Sequence, residues 1–253
     1  MRNKNHPPIH ITTGNDNGIL CLHGLFGSPN QFIPFLSIFQ SLGLDVHAPL
    51  LPGHGGSCKD FSHSNKLHWK SCAQSEIYKM HQQYKNVYLM GHSMGALFCL
   101  DFADTINAAG IILLNPPMKI SLSATKMKMC LGVVTKKKEI STVFNRGESR
   151  PLYSIQNGSW YEYIPWIIPI SGIYSLINAT KKKLPSFKIP TLIFQSQLDE
   201  TLNYKGVFSY QNMLGSDNLQ IVLLNNSTHC FFPKSDLYIV QTLVSQFLEL
   251  NSR

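Results

Sequence analysis

Val87-Tyr88-Leu89-Met90-Gly91-His92-Ser93-Met94-Gly95-Ala96 is the stretch on which the reading of this chain turns. Its first four residues read as a short buried strand, and the run from Ala96 to Ile106 reads as a helix. Gly91-x-Ser93-x-Gly95 joins them directly. In so tight a turn, bulky side chains two positions either side of the serine would collide, so glycine fits there. The turn projects the serine hydroxyl at the carboxyl end of the strand and points the N–H of Met94 into the same space. Ser93 is therefore the candidate nucleophile, with Met94 N–H as one candidate donor to a developing oxyanion.

Outward from this turn the chain keeps a strand–helix rhythm. Ile19-Leu20-Cys21-Leu22 is a buried-strand run ending at His23-Gly24. Ser28-Pro29 reads as a helix N-cap followed by proline, with Phe32, Phe35, Leu36 and Phe39 at helical spacing and Gly43 as the stop. Asp45 to Leu50 is a further strand, leading into the loop Pro52-Gly53-His54-Gly55-Gly56, and Lys66 to Tyr84 reads as a helix. Ile111 to Leu114, Thr191 to Phe194 and Leu219 to Leu224 read as strands, and Ser235 to Leu250 as a closing amphipathic helix. Strands separated by helices imply parallel pairing with crossovers on both faces. The expected class is α/β, a mostly parallel central sheet flanked by helices.

The rhythm fails between Pro117 and Pro185. Residues 118–185 are read as a small inserted cap over the strand ends, and 1–117 with 186–253 as the core. Trp160, Tyr161, Tyr163, Ile164, Trp166, Ile167 and Ile168 cluster there, and they suit both packing of the cap onto the core and the lining of an apolar pocket.

A serine hydroxyl is a weak nucleophile and needs a general base held by an acid. His229 is the sole histidine after His92, and it sits in the loop Asn226-Ser227-Thr228-His229-Cys230-Phe231 after the last strand. For the acid, Ser196-Gln197-Leu198-Asp199-Glu200 follows a strand. Asp199 is favoured for its shorter side chain and Glu200 is the fallback, while Asp217 and Asp236 lie by later elements. The second oxyanion donor is expected from His23-Gly24-Leu25-Phe26-Gly27, with Leu25 N–H the natural choice, Phe26 its neighbour, and His23 structural.

With His23-Gly24-Leu25-Phe26-Gly27-Ser28-Pro29, Leu51-Pro52-Gly53-His54-Gly55, Gly91-His92-Ser93-Met94-Gly95, Ser196-Gln197-Leu198-Asp199 and Ser227-Thr228-His229 in order, the chain resembles the bacterial carboxylesterase and monoacylglycerol lipase branch of the α/β hydrolases. The resemblance covers nearly everything outside the insertion. It implies a compact cap over an apolar acyl pocket, small carboxylic esters as substrates, and no cofactor. One departure is Ser196, where the acid segment of that branch often carries glycine. An acyltransferase, a thioesterase, a carbon–carbon bond hydrolase or a receptor-like ligand-binding protein could carry the same triad.

Composition narrows the classes further. A hydrophobic content of 43% and mean hydropathy of -0.05 describe a soluble globular protein rather than a disordered or membrane-spanning one. Met1 to Pro8 lacks an apolar signal core, and no uncharged apolar run reaches roughly 18 residues, so a cytoplasmic protein is expected. Among the six cysteines no Cys-x-x-Cys or close His/Cys cluster suggests zinc, which favours free thiols and no metal. Net charge is +8, carried partly by Lys136 to Lys138 and Lys181 to Lys183, but basic residues are not interleaved with aromatics as nucleic-acid binding requires.

Overall fold

Alternate residues of the central strands go to opposite sides of one sheet, and each side is apolar. The structure is a computed structural model that describes residues 5–118, 142–145, 148–214 and 219–252. Its strands are β1 (Ile9–Ile11), β2 (Asn17–Leu22), β3 (Asp45–Ala48), β4 (Asn86–His92), β5 (Gly110–Leu114), β6 (Thr142–Asn145), β7 (Glu148–Pro151), β8 (Thr191–Ser196) and β9 (Leu219–Leu224). The helices are α1 (Leu36–Ser41), α2 (Cys58–Ser62), α3 (Lys66–Gln83), α4 (Met94–Phe102), α5 (Ile167–Lys183), α6 (Phe208–Met213) and α7 (Lys234–Leu250).

Among the described residues the main sheet runs β1-β3-β2-β4-β5-β8-β9, parallel throughout except for β1 against β3. This is the α/β-hydrolase architecture expected from the sequence. Leu20, Leu22, Leu89, Ile111, Leu113 and Ile193 face one buried cluster, closed by Trp69, Ile77, Leu97 and Ile177. Ile19, Cys21, Met90, Ile112, Leu192 and Phe194 face the other, closed by Phe32, Phe39, Val240 and Val244. Apolar residues on both pleat faces account for strands that read as continuous apolar runs.

The order also locates the site. From β2 the chain crosses one way to β3, and β4 lies on the other side of β2. At such a switch point, the loops leaving the carboxyl ends diverge and open a crevice. The loops at His23 and at Ser93 leave β2 and β4 there.

One element departs from the sequence reading. Ser28 does cap a helix, accepting from Asn30 N–H at 3.3 Å, but Pro29–Phe35 is a 3-10 helix and only Leu36–Ser41 is α-helical. Pro34 lacks the N–H that an α-helical turn needs, and its ring crowds the carbonyl four residues back. Residues 167–183, expected within the inserted cap, form α5 and pack on α3 and α4 in the layer covering the sheet. Lys183 from α5 and Lys70 from α3 both pair with Asp101 of α4, whose side chain is buried. Of the remaining insertion, β6 and β7 form a separate antiparallel hairpin, and Trp160–Trp166 is a 3-10 helix. Lys136 to Lys138, Cys130 and Asp217 lie outside the described residues. Cys21, Cys58, Cys72 and Cys99 are free thiols, and no helix among the described residues is long and apolar enough to cross a membrane.

The expected aromatic cluster is divided between surface and core. Trp160, Tyr161, Ile164, Ile167 and Ile168 are exposed, whereas Trp166 is buried. Its ring stacks on Phe26 with centroids 5.1 Å apart and leans on Phe61 at 4.6 Å, and its indole N–H donates to Cys58 O at 3.1 Å. Trp166 therefore couples the insertion to the loop after β2. Removing so large a buried side chain costs about 3–5 kcal/mol. Denaturant unfolding of Trp166→Ala is expected to show a loss of that order; a loss below about 1 kcal/mol would mean that this contact does not hold the two segments together.

Candidate active site

Ser93 occupies a backbone conformation that side-chain-bearing residues rarely adopt, with φ 50° and ψ -115°. The turn is fixed on both flanks. Ser93 N–H donates to Leu114 O at 2.9 Å, and Ala96 N–H to Ser93 O at 3.0 Å. A Cβ on Gly91 would lie 2.5 Å from Ala96 Cα, and one on Gly95 would run into the carbonyl oxygen of Leu22. Glycine is thus required at both positions, and the serine side chain emerges at the carboxyl end of β4. The residual backbone strain costs of order 1–3 kcal/mol and persists because the surroundings over-determine it.

The structure brings Ser93, His229 and Asp199 together. Ser93 Oγ and His229 Nε2 are 2.9 Å apart, and His229 Nδ1 lies 2.7 Å from Asp199 Oδ2. Asp199 Oδ1 accepts from Thr201 N–H at 2.8 Å and Leu202 N–H at 2.7 Å, which aims the other oxygen at the imidazole. Since a carboxylate only accepts, Nδ1 carries the proton and Nε2 presents a lone pair to the serine hydroxyl. Glu200, the fallback acid, does not touch the imidazole; its Oε2 accepts the backbone N–H of His229 at 3.0 Å. Asp236 sits further along and holds the loop, accepting from Asn226 N–H at 2.8 Å and Ser227 Oγ at 2.7 Å.

Electrostatics match this arrangement. Burial pulls the His229 pKa down, but the Asp199 carboxylate, its hydrogen bond and the Glu200 charge outweigh burial and leave it above the ordinary 6.5. Burial pushes Asp199 up, yet His229 and the two loop N–H groups hold it below the usual carboxylate value of 3.8. His92 is the opposite case: burial drives it down to about 3, so it is neutral at all working pH values.

The loop after β2 is built to leave one donor free. Leu51 N–H donates to His23 Nε2 at 3.0 Å, so the other ring nitrogen, Nδ1–H, donates to Gly24 O at 2.9 Å; His23 is structural, as its position suggests. Phe26, at φ 63°, spends its N–H on His54 Nε2 at 3.2 Å. Among the described residues, Leu25 N–H and Met94 N–H have no acceptor. Gly24 is again obligatory, because a Cβ there would lie 2.7 Å from His92 Nδ1 and 3.1 Å from Ser93 Cβ.

Three contributors carried no signal in the sequence. Asn115, at φ 47°, donates its side-chain N–H to His229 O at 2.8 Å and accepts Ser196 N–H at 2.7 Å, tying the ends of β5 and β8 to the histidine loop. His92 donates to the same carbonyl from Nε2 at 2.8 Å. Gln31 accepts Gly24 N–H at 3.1 Å. Each acts on main chain, and main chain has no residue signature for a motif to report.

The chain matches the Hydrolase_4 family (serine aminopeptidase, S33) over residues 14–236. It belongs to that family. It is 23% identical to a carboxylesterase of Bacillus subtilis (strain 168), over 93% of this chain and 94% of that protein. It is 24% identical to a thermostable monoacylglycerol lipase of Bacillus sp. (strain H-257), over 84% of this chain and 82% of that protein. Among solved structures, a chain from work on the metagenome-derived lipolytic enzymes LipS and LipT superposes with TM-score 0.77 at 19% identity, covering 98% of this chain and 100% of that one. A soluble variant of monoglyceride lipase from Saccharomyces cerevisiae, in complex with a substrate analog, gives 0.73 at 15% identity, covering 97% and 92%. At those identities the superpositions speak for the α/β-hydrolase fold.

Glu200 supplies a test of the electrostatics. Gln in its place keeps an acceptor for His229 N–H but removes the charge that raises the imidazole pKa. The acid limb of kcat/KM, where His229 gains its proton, is expected to move to lower pH in Glu200→Gln, because the charge that favours the imidazolium is gone. An unmoved limb would show that Glu200 does not act on the base.

Proposed function

We propose that the protein is a serine hydrolase of carboxylic esters, working through an acyl-enzyme on Ser93. The observation that carries this reading is the unbroken relay Asp199–His229–Ser93 at 2.7 and 2.9 Å, beside two uncommitted backbone N–H groups. His229 Nε2 takes the Ser93 proton as Oγ attacks the ester carbonyl, and Leu25 and Met94 N–H bind the oxygen as it gains charge. The imidazolium so formed is stabilised by Asp199 and returns its proton to the leaving alcohol. His229 then activates a water that releases the acid and regenerates Ser93. No cofactor enters this scheme.

The substrates proposed are short- to medium-chain esters or monoacylglycerols. The relatives named carboxylesterase and monoacylglycerol lipase support this class. Residues 118–185 are proposed as the cap, held to the loop after β2 by Ser154, whose N–H donates to Phe26 O at 2.9 Å.

The family's description also names aminopeptidases, so the panel that tests the proposal includes both bond types. p-Nitrophenyl esters graded from two to sixteen carbons, a monoacylglycerol series and aminoacyl p-nitroanilides are compared on the wild type and Ser93→Ala. Ester turnover is expected with a maximum at short to medium chains, and a drop of at least about 10³-fold in Ser93→Ala. Turnover of the anilides alone, or ester turnover undiminished in Ser93→Ala, would contradict the proposal.

A further inference from the structure

His92 and Cys230, which the esterase reaction does not use, meet the catalytic His229. One ligating atom of each, a ring nitrogen from either histidine and the thiol sulfur, lies within 4.8 Å of the other two; both histidines are buried and Cys230 is partly exposed. Among the described residues this is the one such group of three. His92 Nε2 is committed to His229 O, which leaves Nδ1, and that nitrogen is buried with no hydrogen-bond partner. An unpartnered acceptor in a closed setting is costly, and it is the kind of atom a ligand satisfies. His92 and Cys230 also line a cavity of about 450 Å³, so the group is reachable from outside.

The geometry points to an inhibitory site for a thiophilic divalent cation, Zn²⁺ above all, held by a ring nitrogen of His92, a ring nitrogen of His229 and Cys230 Sγ. Two imidazoles and a thiolate are the donor set that Zn²⁺ prefers, and three protein ligands leave a fourth position for solvent. Tetrahedral Zn²⁺ holds such atoms about 3.3–3.8 Å apart, so the observed spread closes by roughly 1 Å, within reach of a rotamer change at the part-exposed Cys230. Mg²⁺ and Ca²⁺ demand oxygen ligands and find none in this set. The ion would act as an inhibitor and not as a cofactor, because ligation engages the imidazole that must otherwise take the serine proton. Binding stands on the three side chains alone; inhibition, by contrast, rests on the serine-hydrolase reading above.

Zn²⁺ is titrated into Ser93→Ala protein by calorimetry, and the same is done with Ser93→Ala combined with Cys230→Ser. One equivalent is expected to bind the first, with affinity at least tenfold weaker in the second. On wild-type protein, saturating Zn²⁺ is expected to slow iodoacetamide alkylation of Cys230 by at least fivefold, read by peptide mass spectrometry with Cys72 as internal reference; this arm needs no variant to fold. Ester hydrolysis is expected to fall along the same Zn²⁺ saturation curve and to be unmoved by Mg²⁺. Absence of binding to Ser93→Ala, affinity undiminished by Cys230→Ser, or alkylation of Cys230 unchanged by Zn²⁺ would overturn the site. Binding that leaves ester hydrolysis intact would overturn the inhibition. A wild type without ester hydrolysis even when metal-free would sink the hydrolase reading, while calorimetry and alkylation still judged the site.

Discussion

The strained turn at Ser93 is the constraint on which the rest of the site depends. A residue with a side chain holds φ 50° only where its neighbours leave no alternative. Here the neighbours are backbone. Gly91 lies against the start of α4, Gly95 against the carbonyl of Leu22, and the Ser93 N–H is taken by Leu114. That packing brings β2, β4 and β5 into contact at one end of the sheet. It also sets the distance between the serine hydroxyl and the loop after β2, which Gly24 keeps close by having no Cβ to strike His92 and Ser93. Local strain is thus converted into placement of the Ser93 hydroxyl beside two backbone donors.

A nucleophile so placed is inert unless the base arrives at the same point from another strand. His229 is located less by its own side chain than by its main chain. Its carbonyl accepts from both His92 and Asn115, and its N–H donates to Glu200. Three strand ends therefore determine where the peptide units of that loop lie, and the imidazole follows. The charges act in the same direction: Asp199 and Glu200 more than offset the effect of burial on His229, which makes the imidazole a stronger base than an ordinary histidine.

The parts legible in the sequence are those whose physical cause is local. Gly91-x-Ser93-x-Gly95 is a demand made by one turn on residues two apart, and the strands of β2, β4, β5 and β8 are apolar because both of their faces are covered. His229 could be found because it alone follows the serine. The rest is made through space. Asn115 acts on Ser196 and His229, 81 and 114 residues away, and nothing near Asn115 announces it. Backbone direction at Leu25 and its neighbour Phe26 is likewise set through space, by His54, which takes the Phe26 N–H. The division of the Trp160–Ile168 run between surface and core has no local signature, since the run has one composition while its exposed residues and Trp166 face different surroundings. Pro34 offered a local cue for the 3-10 helix, but the helical spacing of the phenylalanines around it dominated the reading.

The central claim is that Ser93 is an activated nucleophile, and activation is what a mechanism-directed phosphonate measures. The protein is treated with a fluorophosphonate, digested and analysed by peptide mass spectrometry, with Ser93→Ala and His229→Ala alongside. The account predicts one phosphonyl group on the peptide containing Ser93, none in Ser93→Ala, and labelling slowed by at least about 10²-fold in His229→Ala. An unlabelled wild type, or a label carried by a different residue, would contradict it.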